Sequence, residues 1–344
     1  MKQLFYKTIA LLLLAGSVTF GWIWMDFNGF MNSRANIPEV GIDLHVVEGA
    51  TINTISQQLY EAGIIRSVFY PRLAAKLYPE LTKLKRGEYF INQRMSPRDI
   101  FNKIVSGKVK VYQVRFIEGW KLKDFLEVLS NSNRLSQDLK NYNNKQISAK
   151  LSIAHDNPEG WFYPDTYNFH KGASDLEILQ AAHKKMKLLL NKYWQERDLD
   201  LPYASPYEVL IMASIIEKET GLAGERDRIA GVFIRRLNMN MRLQTDPTVI
   251  YGMGDSFDGD IRKRDLLNDT PYNTYRRRGL PPTPIAMPSE ASLMAAVHPA
   301  DGTELYFVAK GDGSHQFSTT LKEHNTAVRR YILNSQLKSQ LNKQ

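Results

Sequence analysis

SPYEVLIMASIIEKETG, residues 205–221, is the stretch from which the fold of this chain can be read. Ser205 reads as an N-cap, Pro206 as the first helical residue, Glu208 as the partner in a capping box and Gly221 as the stop. Residues 209–216 carry no charge, so the pattern predicts a helix wrapped by other elements rather than laid on a surface. The first charge after that run is Glu217. Helical side chains lean toward the N-terminus, so Glu217 covers the turn of Ala213 and Ser214, two small residues that leave room for something else. Desolvation by the apolar run and the negative end of the helix dipole both predict a raised pKa for Glu217, an acid that still holds a proton near neutrality. Glu219 stands about 200° further round the helix, at ~100° per residue, and so on a different face. The local pattern also admits a plainer reading, a solvated Glu-Lys-Glu terminus closing a core helix.

Composition bounds the class around this helix. A chain of 344 residues, 43% hydrophobic and 24% charged, is ordinary globular protein with room for two compact domains. The absence of cysteine excludes disulfides, thiol catalysis and Cys-based zinc sites. The seven histidines show no HExxH or similar ligand spacing, so neither a metal nor a cofactor is expected. A formal charge of +9 comes without a zinc-finger, RNA-binding or helix-turn-helix signature. The expected partner is therefore an anionic envelope polymer or a phospholipid surface, and not nucleic acid.

Toward the N-terminus, Lys2 and Lys7 precede an uncharged stretch, residues 8–25. At about 1.5 Å per residue it roughly matches a hydrocarbon core of about 30 Å. The positive flank places the N-terminus in the cytoplasm, with Trp22 and Trp24 at the outer interface and the body exported. The rival, a cleavable signal peptide, lacks a prompt A-x-A site, and the anchor is preferred. Residues 26–40 read as a juxtamembrane linker. A weak repeat follows: VEGATINTISQQL (47–59) and IEGWKLKDFLEVL (117–129) share a strand end, a Glu-Gly turn and an amphipathic helix. FINQRMSPRDIFNKIVSG (90–107) has the same shape without Glu-Gly, Ser96 capping and Pro97 opening its helix. Such units predict a small βα module over residues 41–115, either a ligand-binding domain or a spacer.

From about residue 116 the character changes. PEGWFYPDTYNF (158–169) mixes aromatics with Glu159, Asp165 and Asn168, a set suited to stacking sugar rings or to an aromatic core corner. Helices are predicted over 176–196, with Ile178, Ala182, Met186, Leu189 and Leu190 inward, and over 225–237. In MRLQTDPTVIYG (241–252), Thr245 or Asp246 caps a helix opened by Pro247, which brings Gln244 to a polar helix start. The long proline-rich loop TPYNTYRRRGLPPTPIAMPSE (270–290) is pinned by Tyr272 and Tyr275 and predicted to line a cleft. ELYFVAKGDGSHQFSTT (304–320) reads as two short strands around a Gly-Asp-Gly turn, before a last helix carrying His324.

Taken in order, EGWFYPDTY, ASIIEKET, QTDPTVIYG, PYNTYRRRGLPPTPI and YFVAKGDGSHQFSTTLKEHN resemble the YceG-like family, whose members are endolytic murein transglycosylases of the MltG type. The resemblance runs from about residue 40 to the end, and departs from the family at Met287, where Asn is frequent. It implies an α+β fold: an N-terminal transmembrane helix in the inner membrane, a LysM-like module over 41–115 and a periplasmic catalytic domain over 116–344. It implies Glu217 as catalytic acid/base, with Gln244, Asp246, Tyr272 and Asn273 near it in the cleft; Glu159, from the aromatic stretch suited to sugar rings, is expected as a further substrate-binding residue. The implied reaction is cleavage between N-acetylmuramic acid and N-acetylglucosamine within nascent glycan strands, one glutamate acting twice and a 1,6-anhydro sugar forming. Glycan elongation would end there, with peptidoglycan synthases as partners. Two alternatives follow from the same residues: a glycan-binding scaffold with an inert Glu217, and a hydrolase pairing Glu217 with Asp246 or Glu159.

Overall fold

The computed structural model describes residues 2–333. They form a mixed α and β protein that divides into two compact units. One holds the residues up to Tyr112 together with Asn168–Gly172, the other Gln113–Tyr167 and the residues from Ala173 on.

The first unit begins with α1 (Lys2–Asn32). From Phe5 this helix is long and apolar enough to cross a membrane, with a mean hydropathy of 1.8, and its residues as far as Met25 are mostly exposed to the surroundings. Here the expected linker is corrected. Instead of ending at residue 25, α1 runs on for two further turns, and Phe27, Phe30 and Met31 are buried, as is Ile37. They fill the core that also takes Leu44 and Val46 from β1 (Ile42–Val46) and Ile52, Ile55 and Leu59 from α2 (Ile52–Glu61). After α3 (Phe69–Leu77) comes β2 (Gly87–Ile91), which pairs antiparallel with β1, Ile42 opposite Ile91 and Val46 opposite Gly87. The next helix, α4 (Pro97–Ser106), starts as its residues dictate. Ser96 Oγ accepts from Asp99 N while Asp99 accepts from Ser96 N, and Gly107 at φ +73 ends it.

The chain passes between the units within β3 (Tyr112–Arg115) and again within β4 (Thr166–Phe169). Between these strands lie α5 (Leu122–Ser130) and α6 (Asn144–Lys150). The second unit is built around α8 (Pro206–Glu219), every residue of which from Val209 to Ile216 is buried. Three helices supply the wrapping: α7 (Asp175–Glu196) with Met186, Leu190 and Tyr193, α9 (Arg226–Asn238) with Ile229, Val232 and Phe233, and α12 (Glu290–Val297) with Leu293 and Ala296. Burial of each large apolar side chain contributes about 1.5–3 kcal/mol, so a helix apolar all round is held by its neighbours on every side. The shorter α10 (Asp246–Met253) and α11 (Lys263–Leu267) precede α12, and the antiparallel pair β5 (Tyr306–Ala309) and β6 (His315–Ser318) leads to α13 (Leu321–Val328).

The ends of α8 differ from the sequence expectation. Ser205 occupies the N-cap but makes no side-chain cap bond, and Glu208 Oε2 instead accepts from Ala204 N at 2.7 Å. At the other end the helix stops at Glu219 because Thr220 turns to extended backbone, and Thr220 Oγ1 accepts from Leu222 N at 3.0 Å. A hydroxyl that binds its own backbone provides the stop assigned to Gly221.

Candidate active site

Glu217 projects from the last turn of α8, where the helix emerges from its wrapping. Its Oε2 accepts from Ser289 N at 2.9 Å, from Ser292 Oγ at 2.6 Å and from Ser289 Oγ. Oε1 has no hydrogen-bond partner among the described residues. Sequence reasoning set Glu217 against the apolar run that precedes it; the structure gives it three donors at the start of α12, where unpaired N–H groups gather. Ser289 is the N-cap of α12, accepting from Ser292 N at 3.2 Å, so one short turn both caps a helix and grips the carboxyl.

The segment before Ser289 is fastened to α8. Ser214, predicted to leave room under Glu217, is fully buried, and its Oγ accepts from Ile285 N at 3.0 Å while donating to Ile211 O at 2.7 Å. The Glu118-Gly119-Trp120 turn then closes over this segment: Gly119 N donates to Met287 O and Met287 N to Trp120 O, both at 2.8 Å. Gly119 adopts φ +74, and a Cβ there would lie 3.8 Å from Glu217 Cγ. Lys218 Nζ donates to Gly119 O at 3.1 Å. Glu118 is thereby brought beside Glu217, and partial burial, followed by the negative charge of Glu217, holds its carboxyl above the usual range. Ser289, Ser292 and Glu118 are the residues that sequence reasoning missed. The Pro-Ser-Glu-Ala-Ser run was a legible helix start for the two serines, and the repeated Glu-Gly turn was the only mark on Glu118.

The other predicted site residues fall into two groups. Gln244 and Asp246 line, with Glu219, a cavity of about 480 Å³. Asp246 Oδ1 accepts from Tyr275 Oη at 2.6 Å, and Gln244 sits at φ +51, a left-handed conformation uncommon for a residue with a side chain. Thr245 is the N-cap of α10, yet its hydroxyl donates to Glu219 Oε1 instead of capping the helix. Burial, reinforced by Asp246, pushes the Glu219 carboxyl up to about 7, against the opposing pull of Thr245, His315 and Arg236. Asn273 and Glu159 are consumed by the scaffold. Asn273 is buried, its Nδ2 donating to the carbonyls of Asp265, Leu266 and Asn268 and its Oδ1 accepting from Tyr275 N. Glu159 is 4% exposed; Leu122 N donates to its Oε1 at 2.8 Å and Tyr251 Oη to its Oε2 at 3.1 Å. Burial dominates there too and raises the Glu159 carboxyl to about 7. Tyr272 is half-buried, its hydroxyl paired with Thr283 Oγ1 at 2.9 Å and its ring packed on Tyr251. Among the described residues no cluster of His, Asp or Glu is arranged to hold a metal ion.

The model of one protein family, described as the YceG-like family, matches residues 44–330. A Bacillus subtilis protein named endolytic murein transglycosylase is 32% identical over 316 residues, with 85% of each chain covered. A Streptococcus pneumoniae protein of the same name is 25% identical over 329 residues, covering 86% of this chain and 59% of its own longer one. Among solved structures, a yceG-like protein from Listeria monocytogenes is 32% identical, covers 84% of this chain and 99% of its own, and superposes with a TM-score of 0.54.

Proposed function

The chain belongs to the YceG-like family, and from that premise we propose that it is a lytic transglycosylase of peptidoglycan, cutting between N-acetylmuramic acid and N-acetylglucosamine within glycan strands. The observation that carries this reading is the asymmetry of Glu217: one oxygen held by three donors, the other without a hydrogen-bond partner among the described residues. An acceptor satisfied by donors has no use for a proton, so the transferable proton belongs on Oε1. From Oε1 it passes to the glycosidic oxygen as the bond to C1 of the muramic acid breaks. The same oxygen, now a carboxylate, takes the proton of that sugar's C6 hydroxyl while O6 closes on C1, giving the 1,6-anhydro ring. Ser289 and Ser292 keep Oε2 fixed through both transfers, and no water is consumed.

The positive flank of Lys2 and Lys7 and the exposed apolar face of α1 support an anchor in the inner membrane, with the body in the periplasm. In that setting the enzyme ends strand elongation beside the synthases, and the first unit acts as a LysM-like holder of glycan.

A second reading has its own observation. Ordinary glycosidases flank the bond with two carboxyl groups, and Glu118 is a second carboxyl whose titration feels Glu217; a hydrolase would use it to activate water. The test is mass spectrometry of uncrosslinked glycan strands treated with the full chain in detergent. Products lighter by one water than hydrolysis products, lost with Glu217→Gln and retained with Glu118→Gln, are expected. Free reducing ends that need Glu118 would replace the transglycosylase by the hydrolase. No cleavage by the folded wild-type chain would leave only the scaffold.

A further inference from the structure

The first unit carries a cavity at the foot of α1 that the reaction above does not use. Asp26 is the first charge after the apolar run of α1, so whatever binds it stands where the helix leaves a bilayer. Two residues do. Arg66 Nη2 donates to its Oδ1 at 2.9 Å, and Tyr70 Oη donates to its Oδ2. The Arg66 guanidinium also lies over the Phe30 ring, 5.8 Å from its centroid, and the Tyr70 ring packs on Phe27 and Phe30. These contacts fix the start of α3 beside the emerging helix. There Phe69, its ring 5.5 Å from that of Tyr70, is a large apolar side chain left 59% exposed.

From Phe69 the outward face of α3 continues at helical spacing through Arg72, Leu73 and Lys76, while Pro71 and Ala74 turn into the core. These four outward residues line a cavity of about 610 Å³, together with Ile52 and Asn53 at the start of α2. Arg66 is committed to Asp26. Arg72 and Lys76, by contrast, are exposed and have neither a hydrogen bond nor an ion pair among the described residues, and no carboxyl group among those residues lines the cavity. An apolar ring and two unpaired cations on long stems, side by side at the end of an apolar helix, match one kind of partner: a molecule with a phosphate next to hydrocarbon. We propose that this face of the first unit docks on the bilayer that α1 enters, the cavity taking the headgroup of an anionic phospholipid, with Arg72 and Lys76 on its phosphate and Phe69 and Leu73 against the first carbons of its chains. The proposal rests on the reading of α1 as a membrane anchor. The occupant is a lipid rather than a glycan strand because the anchor holds Phe69 at the bilayer surface, where headgroup phosphates are always at hand.

The absence of cysteine makes the test direct. Asn53→Cys, exposed at the wall of the cavity, takes a single fluorophore in the full chain, which is reconstituted into phosphatidylcholine vesicles. The vesicles carry a minor fraction of a lipid with a nitroxide near its glycerol, either phosphatidylglycerol or, in a parallel sample, phosphatidylcholine. At low salt the anionic lipid is expected to be preferred at the cavity by about 25-fold, as judged by quenching, since each of two basic residues near an anionic surface is worth about fivefold. Most of that preference should vanish at about 0.5 M salt. Arg72→Ala and Lys76→Ala should each lower it about fivefold without moving the melting temperature. Phe69→Ser, which removes the apolar contact and leaves the cations, should weaken quenching by both lipids and keep the preference. Equal quenching by the two lipids overturns the proposal. So does a preference that survives the loss of both Arg72 and Lys76, or displacement of the labelled lipid by soluble uncrosslinked glycan strands, which would give the cavity to the polymer. Flotation of the vesicles after alkaline extraction reads the anchor separately. A chain that floats but shows no lipid preference sinks the docking surface alone, and a chain stripped from the vesicles sinks the reading of α1 as an anchor.

Discussion

At Glu217 the side chain matters less than what holds it. Two hydroxyls and an amide on one oxygen remove the freedom of a mobile three-bond arm, as the two proton transfers proposed for this carboxyl require. Ser289→Ala and Ser292→Ala are each expected to lower the rate of glycan cleavage about 10- to 100-fold, the worth of one hydrogen bond to a charged group, with thermal stability changed much less. An unchanged rate in both variants would show that Glu217 needs no such support. Glu159 makes a different prediction. Its folded-state pKa of about 7 lies above the ordinary 4.5, so its contribution to stability is full below pH 4.5 and is lost as pH rises through 7. The melting temperature should therefore fall between pH 5 and pH 8, and Glu159→Gln, neutral at both, should flatten that fall. A wild-type profile that rises over the same interval would contradict the burial argument.

Among the elements, α8 and the segment leading to α12 act together: Ser214 ties Ile285, the Gly119 turn clasps Met287, and Ser289 follows two residues later. The same segment is pressed from the other side by Gly160, which holds φ +83 and whose added Cβ would come 2.5 Å from Pro284 Cβ. Gly160→Ala therefore combines a left-handed backbone with an overlap, costs of about 1–2 and about 1–3 kcal/mol. It is expected to lower the denaturation midpoint and also to reduce cleavage, because Pro284 displaces the chain that carries Ser289. Gly172→Ala, at φ +84 but with nothing within 4 Å, is the control: it should show only the backbone part and no loss of activity. Equal effects of the two substitutions would rule out the contact with Pro284 as the cause.

For the whole molecule, the consequential feature is that the N-terminal helix runs on past the end of its apolar stretch. Phe27, Phe30 and Met31 are as buried as any core residue, so a protein beginning at residue 26 should be soluble and stable. One beginning at residue 40 loses these three and Ile37, each worth about 1.5–3 kcal/mol. Limited proteolysis and thermal unfolding of the two truncations should show the shorter protein cut or melted first in the segment up to Tyr112; identical behaviour would mean that α1 contributes nothing to that unit. The sequence by itself determined the α and β content, the apolar N-terminal helix, the buried stripes of α7 and α9, the central place of the uncharged run in α8, and Glu217 as the carboxyl that emerges from it. Those features rest on local periodicity and capping chemistry, which neighbours along the chain express without help. Only tertiary structure decided that Asn273 and Glu159 are spent on the scaffold, that Ser289 and Ser292 grip Glu217, and that Gln244 and Asp246 gather with Glu219. Each of those outcomes joins residues far apart in sequence, and which partner satisfies a buried polar group is settled by packing rather than by spacing.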